Sequence, residues 1–168
     1  MSGVLIWITG FSGAGKTSIA SALSDEMRRN NLVVIHIDGN VIRDLFPGLG
    51  YSMQDRLANA MRIAKMCAMI TDQGVNVICS TISMFSEIHE FNRKHNDKFF
   101  TVVVNTDAKI IKSRDLRGIY TKNKDIVGIT QTYVLPPNPD LVICNDADNK
   151  QIDQAKKIFQ CVKDKYEL

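Results

Sequence analysis

The residues best suited to chemistry form one contiguous stretch, Gly10-Phe11-Ser12-Gly13-Ala14-Gly15-Lys16-Thr17, which fits the spacing G-x-x-x-x-G-K-[ST]. Its glycines let the backbone close tightly and aim N–H groups inward, where a chain of phosphates can be cradled. The lysine offers a point charge to β- and γ-phosphates, and the hydroxyl after it suits a Mg²⁺ ion bridging the same oxygens. The implied guest is a nucleoside triphosphate with Mg²⁺. Gly10 to Thr17 and Ser18 are its binding residues, Lys16 is a catalytic charge and Thr17 is the metal ligand.

Such a loop needs a strand before it and a helix after it. Val4 to Ile8 is an apolar, β-like run, and Thr17 to Arg29 places Ile19, Ala20, Leu23 and Met27 on one helical face. Val33 to Asp38 reads as a second strand, buried on both faces as in a parallel sheet and ending in a carboxylate. Ligands of open α/β sheets bind at the C-terminal strand edge, so Asp38 is expected in the same crevice as the loop. Ionised at neutral pH, it can act as the base for an attacking hydroxyl or as a carboxylate in the outer shell of Mg²⁺.

Further along, Asn40 to Gly50 is short and broken, and Ser52 to Gln73 has a long helical pattern stopped by Gly74. Leu57, Met61, Ala64 and Ala68 lie on that helix's apolar side, with Arg56, Asn59 and Arg62 in a polar row. Val75 to Ser80, Phe99 to Asn105 and Leu141 to Cys144 read as strands; Glu87 to His95, Lys109 to Gly118 and Lys150 to Tyr166 read as helices. In the last helix Ile152, Ala155, Ile158, Phe159 and Val162 share a face. Ile119 to Pro139 is polar and proline-terminated, suiting a mobile lid of about 117–139. Alternating strands and helices predict an α/β fold with a five-stranded parallel sheet in a three-layer sandwich, a single domain over 1–168.

Bulk composition excludes several classes. With 168 residues, 45% hydrophobic and 23% charged, the chain can bury a real core. No apolar run is long enough for a bilayer and no secretory leader is evident, which predicts a cytoplasmic protein. A net charge of +3 suits a small anionic substrate better than a nucleic-acid polymer. Cys67, Cys79, Cys144 and Cys161 form no C-x-x-C pair and read as buried thiols, while His36, His89 and His95 lack metal-ligand spacing. The N-K-x-D segment with which GTPases read guanine is absent, Asn123-Lys124-Asp125 having the wrong spacing. A small chain with a strand-end carboxylate, nearby arginines and a lid points to a small-molecule kinase. A nucleotide-binding module without turnover is the competing class.

The ordered motifs resemble those of adenylyl-sulfate kinases. They are Gly10 to Thr17; Asp38-Gly39-Asn40 with Arg43; Leu49-Gly50-Tyr51-Ser52 with Asp55-Arg56 and Asn59; Ile82-Ser83; and Arg114 to Tyr120. The resemblance implies a P-loop nucleotide kinase fold, usually dimeric, that moves the ATP γ-phosphate to the ribose 3′-hydroxyl of adenosine 5′-phosphosulfate. It makes Asp38 the proposed base. Arg43, Tyr51, Arg56, Asn59, Ile82 and Ser83 become acceptor contacts, and Arg114 an adenine contact. Ser83 is also counted with Asp38 and Lys16 among the catalytic residues, since it stands where the family carries a proposed phosphoserine, although in-line transfer needs no protein nucleophile.

The departures fall on the acceptor side. Asn40 replaces a second carboxylate, and Met84-Phe85 with Glu87 replace a proline and basic residues. Ile126-Val127-Gly128-Ile129 replaces Phe-Thr-Gly-Ile, and the lid is shorter. A lost aromatic stack is worth about 1–3 kcal/mol per base, so a changed acceptor is expected. Thr81 to Phe85 and Val127-Gly128 also resemble a branch found with bacterial surface-polysaccharide genes, part of which phosphorylates cytidine diphosphoramidate.

Overall fold

The computed structural model describes residues 2–46, 48, 50–113, 133–146 and 150–168. Its centre is β1 (Val4–Thr9), every residue of which is buried. Alternation along this strand sends Val4, Ile6 and Ile8 into one hydrophobic cluster and Leu5 and Trp7 into another, so the strand joins two cores. Each large side chain so enclosed contributes about 1.5–3 kcal/mol relative to exposure.

The first cluster lies under α1 (Lys16–Arg29) and α6 (Gln151–Tyr166), which supply Ile19, Leu23, Met27, Ile158 and Val162. The second lies under α3 (Met53–Asp72) and α4 (Ser86–His95), with Ile63, Cys67 and Ile88. Between these helical layers run β2 (Val34–Asp38), β3 (Asn76–Ser80), β4 (Lys98–Asn105) and β5 (Leu141–Cys144) beside β1. All pair in parallel, in the order β2-β3-β1-β4-β5, which is the expected five-stranded three-layer sheet.

This order places the site. From β1 the chain steps past β3 to build β2, then returns to the other side of β1 for β4, leaving a crevice at the C-terminal strand ends. The register pairs Asp38 with Ser80 and Ser80 with Ile8, so the tips of β2, β3 and β1 lie level beside the loop.

The structure corrects several local readings. β2 is an edge strand, and Ile35 is 42% exposed rather than buried; strand order, which no local pattern encodes, decides this. The segment expected to be broken after Asp38 begins as a short helix, α2 (Gly39–Leu45), because the Asp38 carboxylate caps it by accepting from the Asn40 amide. Ile152 lies in the first turn of α6 and faces solvent, while the rest of its expected stripe is buried. Cys67 and Cys79 are buried free thiols, whereas Cys144 is exposed and Cys161 half-buried. The helix expected from Lys109 appears as α5 (Ala108–Ser113). The remainder of that expectation, Arg114, and residues 117–132 of the expected lid lie outside the described residues. Among the described residues no helix is long and apolar enough to cross a membrane.

The entry of α3 determines where Arg56 and Asn59 sit. Ser52 caps it, its hydroxyl accepting from the Asp55 amide at 3.2 Å and donating to the Asp55 carboxylate at 2.6 Å. Ser52→Ala is expected to cost about 0.5–2 kcal/mol of stability in chemical denaturation. A change below the scatter of such measurements would show that the cap does not set this helix start.

Candidate active site

The loop between β1 and α1 has the features that a phosphate chain requires. Gly10 has φ 151°, and a Cβ there would meet the Val104 carbonyl at 2.4 Å, so only glycine lets the loop leave the strand this close to β4. At its other end, Gly15 starts α1 without a side-chain cap, and no acidic residue occupies the first turn. The amides and partial positive charge of this helix start are therefore open to an anion.

Lys16 is buried, and its ammonium donates to the Phe11 carbonyl at 2.7 Å, across the mouth of the loop. Burial pushes its pKa down to about 8, and the negative charge of Asp38 offsets only part of that. A buried cation short of counter-charge is well suited to receive a polyanion.

Asp38 closes the other side of the crevice. Its Oδ2 accepts from the Thr17 hydroxyl at 2.6 Å and from the Ser80 hydroxyl at 2.9 Å, while Oδ1 accepts from the Asn40 amide at 2.8 Å. Burial alone would raise its pKa, but the bonds from Thr17, Asn40 and Ser80 together bring it below the ordinary carboxylate value. The donor directions follow from proton counting. Ser80 gives its single hydrogen to the carboxylate, so it accepts from His36 Nε2–H, 2.9 Å away. Burial pushes the His36 pKa down, Asp38 opposing and Arg28 assisting, so the ring is neutral near pH 7. Thr17 likewise spends its proton on Asp38, leaving hydroxyl lone pairs for a metal. Among the described residues no cluster of acidic, histidine or cysteine side chains could hold an ion by itself. That donor set fits Mg²⁺, which takes few protein ligands and completes its shell with phosphate oxygens and water.

Of the residues expected at the acceptor, Arg43, Tyr51 and Arg56 come together where α2 leads to the start of α3, whereas Asn59 lies farther along α3 and Ile82 and Ser83 follow β3. The guanidinium carbons of Arg43 and Arg56 lie 4.8 and 5.4 Å from the Tyr51 ring centroid, and Arg56 Nε donates to the Tyr51 carbonyl at 2.9 Å. Arg62, from the same expected polar row, lies over Phe46 instead. Asn59 is 4% exposed, and its Oδ1 has no partner among the described residues. An unmet buried acceptor costs about 1–3 kcal/mol, and this oxygen is closed to solvent in the folded chain. Ile82 gives its carbonyl to the Thr9 hydroxyl. Ser83 is buried, with its hydroxyl 2.8 Å from that of Thr81.

Beyond the loop on the β4 side, Tyr133 meets Phe11 edge-on at 5.0 Å, and the Val134 amide donates to the Met84 carbonyl at 2.9 Å. His89 Nε2 donates to the Val134 carbonyl at 3.2 Å. An apolar cavity of about 250 Å³ lies here, lined by Phe11, Met84, Val103, Leu135 and Pro136 among others. Met84, one of the departures noted above, is thus a buried wall residue, and Glu87 lies exposed in the first turn of α4, where the helix dipole favours it. The Arg114 adenine contact and the Ile126 to Ile129 segment lie outside the described residues.

Ser80, Thr81 and His36 were missed as site residues. A signal existed: two hydroxyl residues end the apolar run of β3, just as a carboxylate ends β2.

A model of the adenylylsulphate kinase family matches residues 2–144. The cytidine diphosphoramidate kinase of Campylobacter jejuni is 35% identical over 161 residues, covering 93% of this chain and 94% of the relative. The adenylyl-sulfate kinase of Gloeothece citriformis is 38% identical over 159 residues, covering 91% and 89%. Among solved structures, the APS kinase of Mycobacterium tuberculosis in complex with AMPPNP and APS superposes with a TM-score of 0.87 at 29% identity, covering 96% of this chain and 98% of that one.

Bound phosphates favour the charged form of Lys16 and raise its pKa, so ATP affinity should hold steady below about pH 8 and fall as pH climbs through the free-protein value. The fall approaches tenfold per pH unit, with proton uptake on binding detectable by calorimetry in buffers of different ionisation enthalpy. ATP affinity that stays flat from roughly pH 7 to 9.5, with no proton uptake, would contradict the assignment.

Proposed function

The chain belongs to the adenylylsulphate kinase family of ATP-dependent kinases, and from that premise we propose that it transfers the γ-phosphate of ATP to the ribose 3′-hydroxyl of a nucleotide carrying a substituted 5′-phosphate. The observation that carries this reading is the direct bond between Thr17 of the phosphate loop and Asp38 of the neighbouring strand tip. It links the loop to the strand tip from which α2 runs to Arg43, which lies with Arg56 against the Tyr51 ring.

In this reading the loop amides and Lys16 hold the β- and γ-phosphates. Thr17 would ligate Mg²⁺, whose chemistry is to neutralise charge on the transferring phosphoryl group. Asp38, ionised and braced by Ser80 and His36, keeps the Thr17 hydroxyl turned for that ion and faces the attacking sugar hydroxyl. Phosphoryl transfer through a loose transition state needs little help from a strong base, which suits a carboxylate of lowered pKa. Ser83 is an acceptor contact rather than a nucleophile: its hydroxyl is engaged by another hydroxyl, and among the described residues no base lies beside it. We place it in the cytoplasm as a homodimer, the latter supported by exposed Ile35 on the edge strand β2 and by exposed Val33, Val41 and Leu45 beside it.

Adenosine 5′-phosphosulfate is the first acceptor for this reaction. Cytidine diphosphoramidate is the second, favoured by the near full-length match to a kinase of that name and by the departures from the adenylyl-sulfate kinase motifs at Asn40, Met84 and Glu87. The test offers purified protein ATP and Mg²⁺ with each acceptor in parallel, measuring kcat/KM and locating the new phosphate by phosphorus NMR. One acceptor should exceed the other by at least about 10²-fold, since a mismatched base leaves buried polar groups unpaired. ATP that binds without acceptor-dependent ADP release would instead make the chain a non-catalytic nucleotide-binding module.

A further inference from the structure

The middle of the phosphate loop is held from behind by residues far away in the chain. The Ala14 carbonyl accepts from the Asn145 side-chain amide at 2.8 Å and from the Thr106 hydroxyl at 3.2 Å. Both donors are buried, at 2% and 6% exposure. A trans peptide directs its C=O and its N–H to opposite sides, and the described residues contain no cis bond. Capturing the Ala14 carbonyl at the back of the loop therefore aims the Gly15 N–H at the front, where the phosphates belong.

Asn145 also accounts for the glycine at position 15. A Cβ there would fall 2.3 Å from Asn145 Nδ2, and the backbone φ of 93° already disfavours any side chain. The amide of Asn145 must face the loop by its nitrogen end, since the reverse orientation would set two acceptor oxygens against each other. Gln154, one turn into α6, selects that end: its Nε2 donates to Asn145 Oδ1 at 3.1 Å and to the Cys144 carbonyl at 3.3 Å. The Asn145 backbone is fixed by its own amide, which donates to the Asn105 carbonyl at the end of β4 at 2.8 Å. Asn145 and Gln154 both lie beyond residue 144, where the match to the family model ends.

We propose that Asn145 and Gln154 are positioning residues for ATP binding: Gln154 sets the orientation of the Asn145 amide, Asn145 sets the direction of the Ala14–Gly15 peptide, and that peptide presents its N–H to the triphosphate. This rests on the reading that residues 10–17 hold ATP.

Gln154→Glu keeps size and shape but places acceptors opposite Asn145 Oδ1, forcing the amide to turn its oxygen towards the Ala14 carbonyl. The KM for ATP should rise about 5- to 30-fold, while the KM for the acceptor changes less than about twofold and kcat at saturating ATP falls less than about threefold. Asn145→Ala should raise the KM for ATP to a similar degree. Adding Gln154→Glu to it should bring little further loss, because Gln154 acts through Asn145. A merely structural role would lower the melting temperature of Gln154→Glu while leaving its KM for ATP within about twofold of wild type, and that result overturns the proposal. If Gln154→Glu does not fold, Gln154→Leu with Asn145→Ala completes the same cycle, and additive effects on the KM for ATP overturn it equally. Lys16→Ala separates the two levels. Undiminished ATP binding by that variant removes the loop reading and this proposal together. Lost ATP binding in Lys16→Ala, with ATP KM unchanged in Gln154→Glu and Asn145→Ala, removes this proposal alone.

Discussion

The bond from the Thr17 hydroxyl to Asp38 Oδ2, 2.6 Å long, joins the phosphate loop to the tip of the neighbouring strand. One partner opens the helix that follows the phosphate loop; the other ends an edge strand and caps the short helix leading to Arg43. Each oxygen of the carboxylate is committed, one to the α2 cap and the other to Thr17 and Ser80. A group held at so many points has little rotational freedom left, and pre-organisation of this kind is what phosphoryl transfer asks of a protein.

Burial gives this arrangement its electrostatic leverage. Lys16 and Asp38 carry opposite charge on two sides of one crevice, yet their environments move both in the direction of weaker proton binding. For the lysine the cause is desolvation, so the loop is electrostatically incomplete until an anion arrives. For the aspartate the cause is a set of hydrogen bonds that outweighs desolvation, so its charge is secure without a metal. The Lys16 side is thus the responsive half of the site and the Asp38 side the fixed half.

Much of this was legible in the sequence because it depends on local pattern. The loop announces itself by glycine spacing, β1 by an unbroken apolar run, and α3 by its period and the Gly74 stop. Asp38 was legible because a carboxylate at the end of an apolar strand has few places to go. What escaped was whatever depends on strand order and register. That β2 is an edge strand follows from the crossover past β3, and the Ser80 contact follows from the Asp38–Ser80 pairing; neither is written within a single segment. Asn59 shows the same limit: it recurs with Arg56 and Arg62 in sequence, yet α3 turns it into the core and leaves Arg62 at the surface. The support behind Ala14 is the extreme case, since Asn145 lies 131 residues away along the chain.

The central claim is that Thr17 and Asp38 act as one unit joining donor and acceptor. A double-mutant cycle with Thr17→Val and Asp38→Asn, read as kcat/KM with the preferred acceptor, tests it most directly. The account predicts that the double variant is little worse than the more damaged single variant, with a coupling energy above about 1 kcal/mol. Effects that add within about 0.3–0.5 kcal/mol would mean that the two residues work independently, and would contradict it.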